Sequence, residues 1–505
     1  MEQDNKKVLI YTLGGQHFQE ACQLDVAAEL LTKGYNIYYI TCDSCVGGCM
    51  DNRFFNRGFC KFCSYYTKKR AKKILGSNIN ISSIDDYYDD AVKAVVENKS
   101  FNYNNAQDIK NINYKGVEIG YGAMSSYISL TRNLHPIITP YLRRYLDLLL
   151  QEQVIITEII EKFIIKNKIE LIVFHNGRFA HYKPLYGLSV KHKIDFICTE
   201  SVYTQGGKTA YRNIFYNGIP HDPQVHAARV LELWNKYQDE GEREKVASSF
   251  FYNRRYGKYA GDKIYIKDQK PDKMPDNWNK FKKNIVIFNS SEDELGAISR
   301  KFDDANIFGN QLNAIKEVVE HYKDNSSIHF TLRVHPNLKG IPFAYHTDLY
   351  KLNYSNLTVI PADSDISTYA LMDEADKIIV FGSTTGVEAT YWGKPTINLG
   401  LGFYNYFDVA YQPREKSEIW NLIETAHLQP KSKNDAMKYG LFFMSDKHEK
   451  FKKYFPQERT IKFGPFHACT YANSKILGSW VIYRLFEKLY YEVTSLFCKT
   501  YRYDV

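Results

Sequence analysis

The stretch Phe381–Gly400, FGSTTGVEATYWGKPTINLG, decides the fold of the second half of the chain. An apolar strand ends at Phe381, a turn of small residues opens a helix at Thr384, and Gly393-Lys394-Pro395 ends that helix before another apolar strand. A helix between two strands forms a βαβ unit, which places both strands in a parallel sheet. The stretch therefore predicts a doubly wound α/β domain.

The turn of this unit has the features of a nucleotide site. The first amide groups of a helix have no partner within the helix, and the helix dipole favours anions there. The hydroxyl groups of Ser383, Thr384 and Thr385 can donate to a diphosphate. Glu388 lies one turn further, where a carboxylate can accept hydrogen bonds from both ribose hydroxyls. An ordinary helix cap explains the turn about equally well, so other strand ends must decide.

Two further strand ends of the same half carry polar side chains. The segment RVHPN ends one strand, and its Arg333 and His335 can donate hydrogen bonds to phosphate oxygens. Ser290 and Ser291 follow another strand, where they either reach a sugar attached to the nucleotide or cap the next helix. Because the carboxyl ends of parallel strands face one crevice, the motifs together predict one nucleotide site.

The first half of the chain, residues 1–265, predicts a second domain of the same type. A strand, a helix and a strand over Lys7–Thr41 open it, and the strands Glu170–His175 and Asp195–Thr199 continue it after a Cys-rich insertion at residues 42–63. The sequence thus predicts an α/β protein of two Rossmann-like, doubly wound domains.

The remaining segments connect and extend these domains. Residues 266–282 are polar and contain two prolines, which predicts a linker before the second domain at residues 283–430. Residues 431–505 form a helical C-terminal segment, and its tail Ser474–Tyr501 has an apolar side among Lys and Arg. This segment either crosses back onto the first domain, which we favour, or lies on an anionic membrane surface.

Composition excludes several classes of protein. The chain of 505 residues is 44% hydrophobic and 24% charged, which is a globular balance. Its net charge of +9 is not concentrated in a basic arm, so no nucleic-acid partner is expected. The polar start has no signal-peptide pattern, and no apolar run approaches the roughly 18 residues of a membrane span. We therefore expect a cytoplasmic protein, with a place at the inner face of the membrane if the tail binds lipid.

Five cysteines lie within 22 residues in the pattern C-x2-C-x3-C-x10-C-x2-C. Paired C-x2-C segments suit a tetrahedral Zn²⁺ site, and cysteines in a reducing compartment favour metal over disulfides. The same cysteines could instead bind an iron–sulfur cluster, or they could be reduced, buried cysteines that bind no metal. We expect a structural zinc without a catalytic role, bound by four of Cys42, Cys45, Cys49, Cys60 and Cys63.

The segments RVHPN and GSTTGVEATYWGKP resemble the C-terminal domain of GT-B glycosyltransferases of bacterial capsule and surface-polysaccharide biosynthesis. VFHNGRFA (Val173–Ala180) and GAMSSY (Gly122–Tyr127) resemble segments of uncharacterised transferases of this kind. The resemblance implies a CMP-, CDP- or UDP-linked sugar donor in the second domain, and an acceptor cleft formed with the first. The acceptor would be a glycan or a lipid-linked glycan. This type of enzyme stabilises its leaving phosphate with protein groups, so no catalytic metal is expected.

A transferase that inverts stereochemistry needs a base for the acceptor hydroxyl. His17, which follows Gly14-Gly15 at the end of the first strand, is one candidate, and Glu200 at the end of a later strand is its rival. A helix-capping role would explain His17 as well. Gly14, Gly15, Asn176 and Arg178 are predicted to contact the acceptor.

Two other functions share parts of this pattern. Non-hydrolysing sugar-nucleotide epimerases have similar strand-end motifs but need paired acids beside the sugar. A non-catalytic scaffold of polysaccharide assembly would keep the fold without binding a nucleotide.

Overall fold

The computed structural model describes residues 6–13, 17–49, 57–77, 79–203, 210–261, 263–445, 449–453, 460–463 and 466–469. The chain divides into two compact units. The first comprises Met1–Pro220, Gly296–Ser299 and His448–Val505, and the second comprises His221–Leu295 and Arg300–Lys447.

The first unit is built on a mainly parallel sheet. Its described elements are β1 (Lys7–Thr12), α1 (His17–Thr32), β2 (Asn36–Thr41), α2 (Arg57–Leu75), β3 (Asn80–Ser83), α3 (Asp90–Glu97), α4 (Ala106–Lys110), α5 (Ile119–Thr131), α6 (Pro140–Asn167), β4 (Leu171–His175), α7 (Lys183–His192), β5 (Asp195–Tyr203) and β6 (Ala210–Tyr216). These strands lie in the order β3-β2-β1-β4-β5-β6, and β6 pairs antiparallel with β5. The four strands that the sequence predicts here, β1, β2, β4 and β5, are confirmed. The short β3 and the more polar β6 were not predicted.

The second unit is built on a parallel sheet. Its described elements are α8 (Pro223–Lys236), α9 (Glu240–Arg255), β7 (Lys283–Phe288), α10 (Arg300–Asp304), α11 (Gln311–His321), β8 (Ile328–Arg333), α12 (Ala344–Thr347), β9 (Leu357–Ile360), α13 (Thr368–Glu374), β10 (Lys377–Val380), α14 (Thr384–Tyr391), β11 (Thr396–Asn398), α15 (Lys416–Glu424) and α16 (Lys433–Met444). Its strands lie in the order β11-β10-β7-β8-β9. The order reverses between β7 and β10, and ligands of such sheets bind at this switch point. The two sheets confirm the predicted pair of doubly wound domains.

The boundary between the units comes earlier than predicted, because residues 221–265 belong to the second unit. In that unit α8 and α9 pack against α16 in an aromatic core. The ring of Phe251 lies parallel to that of Tyr391, with centroids 3.8 Å apart. Gly440 of α16 permits this close packing, since a Cβ there would lie 2.5 Å from the carbonyl oxygen of Ala247. The apolar faces of α8 and α9 therefore assign these helices to the second unit.

Residues 266–282 also belong to the second unit and do not form a free linker. The Ser367 amide donates to the Lys273 carbonyl at 3.0 Å, and the Lys273 ammonium lies 2.7 Å from the Asp365 carboxylate. Met274 and Trp278 pack against the apolar core of the unit. The prolines prevent a helix here, but these apolar anchors hold the segment against the domain.

The C-terminal segment is divided between the two units. α16 lies in the second unit, whereas Glu449 lies in the first and accepts the Arg212 amide at 2.9 Å through its carbonyl oxygen. The chain thus returns to the first unit after residue 447, and the predicted crossover of its tail stays a prediction. A short hairpin of β12 (Thr460–Phe463) and β13 (Phe466–Cys469) follows, and the tail Ser474–Tyr501 lies outside the described residues. None of the described helices is long and apolar enough to span a bilayer.

Candidate functional site

The second unit contains a cavity of about 500 Å³ at the carboxyl ends of β7, β8 and β10. This position includes the switch point of the sheet, where doubly wound folds bind ligands. The cavity is lined by every residue that the sequence predicts for a nucleotide site: Ser290, Ser291, Arg333, His335, Ser383, Thr384, Thr385 and Glu388. The fold therefore brings together three motifs that are far apart along the chain.

The turn between β10 and α14 forms one wall of this cavity. Gly382 has a φ of 74°, and a Cβ there would lie 2.5 Å from the carbonyl oxygen of Leu401, so only glycine fits this turn. Ser383 caps α14 by accepting the Thr385 amide at 3.3 Å through its hydroxyl oxygen. The Tyr404 hydroxyl donates to the Ser383 carbonyl at 2.9 Å. These contacts hold the first turn of α14 at the cavity wall.

His335 is oriented by its neighbours as a hydrogen-bond donor. The Asn337 amide donates to Nδ1 of His335 at 3.1 Å. A neutral imidazole that accepts at Nδ1 carries its proton on Nε2. The His335 amide donates to Asn289 Oδ1 at 2.8 Å, and the Tyr265 ring lies edge-on with centroids 5.0 Å apart. A fixed ring of this kind can donate from Nε2 to an oxygen of a bound ligand.

Arg333 is buried below the cavity surface, with 2% of its surface exposed. Its guanidinium donates to the carbonyl oxygens of Val334 and Ser364, both at 3.1 Å, and to that of Pro361. Burial lowers the pKa of Arg333 to about 10, so the group stays charged at neutral pH. Its donors hold the loop after β9, and its main contribution to the cavity is a positive charge. Direct contact of Arg333 with a phosphate stays a prediction.

Ser290 and Ser291 are engaged within the protein. The Ser290 hydroxyl donates to the Phe381 carbonyl at 3.1 Å and accepts from Gln311 Nε2 at 2.7 Å. Ser290 therefore joins the ends of β7 and β10. The Ser291 hydroxyl donates to Asp293 Oδ1 at 2.8 Å. Both serines line the cavity, but these bonds give them a part in shaping it.

Part of the cavity wall was missed from the sequence, because Arg254, Lys263 and Tyr265 come from the segment assigned to the first domain. Arg254 Nε donates to Glu388 Oε1 at 2.9 Å, and the Tyr369 hydroxyl donates to Glu388 Oε2. The alternating pattern around Lys263–Ile266 was a weak signal that this segment packs on a folded surface.

Glu200, in the first unit, has a carboxyl group suited to proton transfer near neutral pH. It lies within β5, not after its end, because pairing with β6 extends the strand to Tyr203. Asn176 Nδ2 donates to Glu200 Oε2 at 2.8 Å, and His175 Nε2 lies 3.5 Å from Glu200 Oε1. The side chain is 27% exposed, and desolvation of its carboxyl group raises the pKa of Glu200 to about 7. Burial lowers the pKa of His175 to about 3, so that imidazole is neutral.

The other first-unit residues are only partly described. Asn176 has a φ of 56°, an uncommon conformation for a residue other than glycine, and its side chain meets Glu200. The Arg178 amide lies 3.4 Å from Asn176 Oδ1. Gly14 and Gly15 lie outside the described residues, as does the side chain of His17, the first residue of α1. Their predicted roles stay predictions.

The Cys-rich segment 42–63 runs from the end of β2 into α2. Asp85 organises its first part, since Oδ1 accepts the Cys45 amide and Oδ2 accepts the Ser44 hydroxyl, both at 2.7 Å. Among the residues that the structure describes, no group of three or more His, Cys, Asp or Glu side chains is arranged to hold a metal ion. The zinc prediction, with an iron–sulfur cluster as its alternative, stays a prediction that elemental analysis can test.

The fold defines a doubly wound α/β protein whose second unit has a cavity at the carboxyl edge of its sheet. Residues 225–437 match the family model described as "Capsule polysaccharide biosynthesis protein". The match begins in α8 and ends in α16, so apart from Gly296–Ser299 it lies within the second unit, and it covers less than half of the chain. It confirms, for this segment, the resemblance to capsule biosynthesis proteins. No curated protein matches the chain.

Several solved structures are similar at low identity. They include the Thermosulfurimonas dismutans KpsC beta Kdo 2,4 transferase, with 12% identity, a TM-score of 0.35, and coverage of 54% of this chain and 79% of that one. The Thermosulfurimonas dismutans KpsC beta Kdo 2,7 transferase has 16% identity and a TM-score of 0.32, with coverage of 56% of this chain and 80% of that one. The UDP-GlcNAc 2-epimerase of Neisseria meningitidis has 12% identity and a TM-score of 0.23, with coverage of 87% of this chain and 99% of that one. At these values the likenesses do not distinguish a transferase from an epimerase.

Proposed function

We propose that this protein is a glycosyltransferase of capsule or surface-polysaccharide biosynthesis, which binds a nucleotide-activated sugar in the cavity of its second unit. The observation that carries the proposal is the convergence of three predicted motifs on one cavity at the switch point of a parallel sheet. The family match of the same segment supports it.

The roles of the cavity residues follow from their chemistry. The first turn of α14 and the Nε2 proton of His335 would bind phosphate oxygens, with the charge of Arg333 beneath them. The carboxylate of Glu388 would accept hydrogen bonds from the ribose. These donors would stabilise the leaving phosphate as the sugar bond breaks, which is the main requirement of the reaction.

For the acceptor side, we propose Glu200 as the general base. With a pKa of about 7 the carboxylate is substantially ionised at neutral pH and can take the proton of an acceptor hydroxyl. Asn176, which donates to Glu200, would position it. The acceptor would be a glycan or a lipid-linked glycan, and a lipid-linked one would bring the protein to the inner face of the membrane.

Nucleotide binding tests the donor site. CMP, CDP, UDP, GDP and ADP are compared by thermal shift, and we expect at least one to raise the melting temperature. His335→Ala should weaken that nucleotide about tenfold or more, because a hydrogen bond to a charged group contributes roughly 1.5–3 kcal/mol. A folded His335→Ala protein with unchanged affinity would place the site elsewhere.

The reaction class needs a separate assay. Incubation with UDP-sugars without an acceptor should leave the sugar unchanged if the protein is a transferase, whereas an epimerase would convert it. Failure to bind any nucleotide of the panel would favour a non-catalytic scaffold of polysaccharide assembly.

A further inference from the structure

Glu388 is a buried carboxylate with both oxygens engaged. It is 3% exposed, Arg254 Nε donates to Oε1 at 2.9 Å, and the Tyr369 hydroxyl donates to Oε2. A buried carboxylate is costly unless it is paired and hydrogen-bonded. Arg254 and Tyr369, from α9 and α13, supply both needs, and we call these two residues the Glu388 clamp.

The clamp is itself held in place. Arg254 Nη1 donates to the Lys263 carbonyl at 3.0 Å. The Tyr369 ring lies under the Arg255 guanidinium at 5.3 Å, and Arg255 pairs with Asp373. Burial and the charge of Glu388 raise the pKa of Tyr369, so its hydroxyl keeps the proton that it donates. Neither partner can turn away from Glu388 without losing other contacts.

The clamp leaves acceptor capacity on the Glu388 carboxylate, which lines the cavity. A carboxylate has about four lone-pair sites, and the two clamp bonds use one on each oxygen. Glu388, Arg254 and Tyr369 all line the cavity. The two adjacent hydroxyls of a ribose are a matching pair of donors, and a 2′-deoxyribose would leave one acceptor without a partner. Sites built to bond a hydroxyl discriminate strongly against analogues that lack it.

We propose that Arg254 and Tyr369 are positioning residues that fix the Glu388 carboxylate and so give the cavity its preference for ribonucleotides over 2′-deoxyribonucleotides. This inference rests on the proposed function, since it requires a nucleotide in this cavity.

The test is the ratio of two affinities in the full-length protein. CMP, CDP, UDP, GDP and ADP are compared with their 2′-deoxy counterparts by calorimetry. The unmodified protein should bind the preferred ribonucleotide about tenfold more tightly than its deoxy form, as expected for one hydrogen bond to a carboxylate.

Tyr369→Phe removes the donor and keeps the ring. We expect its ratio to fall toward one, because a displaced Glu388 costs the ribonucleotide two hydrogen bonds and the deoxynucleotide, which keeps only its 3′-hydroxyl, one. Arg254→Lys, which keeps the charge but loses the Nε donor, should shift the ratio in the same direction. Tyr411→Phe is the matched control, because that hydroxyl donates to the Gln429 carbonyl outside the cavity, and its ratio should not change.

Three results would count against the clamp. Tyr369→Phe with an unchanged ratio overturns it, and so does equal weakening of both nucleotides, which indicates a merely structural role. A protein that binds ribo- and deoxynucleotides equally well refutes the clamp while leaving the proposed function intact. If no nucleotide binds at all, the proposed function fails and the clamp fails with it.

Discussion

Phe251 provides a sharp test of where the second unit begins. Its side chain is fully buried in the aromatic core that α8 and α9 form with α16, and its ring stacks on Tyr391 at 3.8 Å. Truncation of a buried Phe to Ala costs about 3–5 kcal/mol, a large part of the stability of a domain. Phe251→Leu keeps most of the volume and should cost about 1–1.5 kcal/mol. That amounts to a roughly tenfold increase in the population of the opened second unit.

The assay is native-state hydrogen exchange of the full-length protein, resolved by peptide. Amides that exchange only when a unit opens report the stability of that unit. In Phe251→Leu, the amides of β7, β8 and β10 should exchange about tenfold faster, and those of β1, β2 and β4 should be unchanged. Phe174→Leu is the matched control, since Phe174 is fully buried in β4 and stacks on Phe196, with ring centroids 5.4 Å apart. Phe174→Leu should accelerate amide exchange in β1, β2 and β4 and leave exchange in β7, β8 and β10 unchanged.

The reverse pattern would refute the assignment. If Phe251→Leu accelerated amide exchange in β1, β2 and β4 and left exchange in β7, β8 and β10 unchanged, residues 221–265 would belong to the first unit, as the sequence predicts. Equal acceleration of both sheets would mean that the two units open together, and the division into independently stable units would be wrong.

Further predictions concern proton transfer, metal and the tail. Since a base must be ionised, kcat/KM should fall about tenfold for each pH unit well below the Glu200 pKa of about 7, which gives the pH–rate profile an acidic limb. Glu200→Gln should remove this acidic limb and lower the rate by about 100-fold or more. Asn176→Ala removes the hydrogen bond that lowers this pKa, so the limb should move to higher pH. If the Cys-rich segment binds zinc, elemental analysis should find about one Zn per chain, and a metal-free protein with the same melting temperature would end that proposal. Truncation after Asn473 should give unstable or insoluble protein if the tail crosses over, whereas a folded product that no longer pellets with anionic liposomes would identify a membrane-binding tail.

Local patterns were sufficient for the second sheet and for most of its site. The strand of β10, the glycine turn at Gly382 and the helix α14 are adjacent in the sequence, so the stretch that encodes them also encodes their βαβ geometry. In a parallel sheet every strand presents its carboxyl end to the same edge. That rule placed Ser290, His335 and Ser383 together without any knowledge of long-range contacts.

Local patterns were not sufficient where the partner of a surface matters. The helical period of α9 shows that one face is apolar, but it does not show that this face meets Tyr391 and α16, which lie about 140 and 190 residues further along the chain. The same limit hid Arg254, whose place beside Glu388 depends on that packing. It also hid the environment of Glu200, where burial raises the pKa of the carboxyl group although Asn176 donates a hydrogen bond to it. The sequence by itself thus determined the five strands of the second sheet, four strands of the first and the residue types at the strand ends. Only the tertiary structure decided which unit each helix joins and which charges meet, because burial depends on contacts between residues that are distant in the chain.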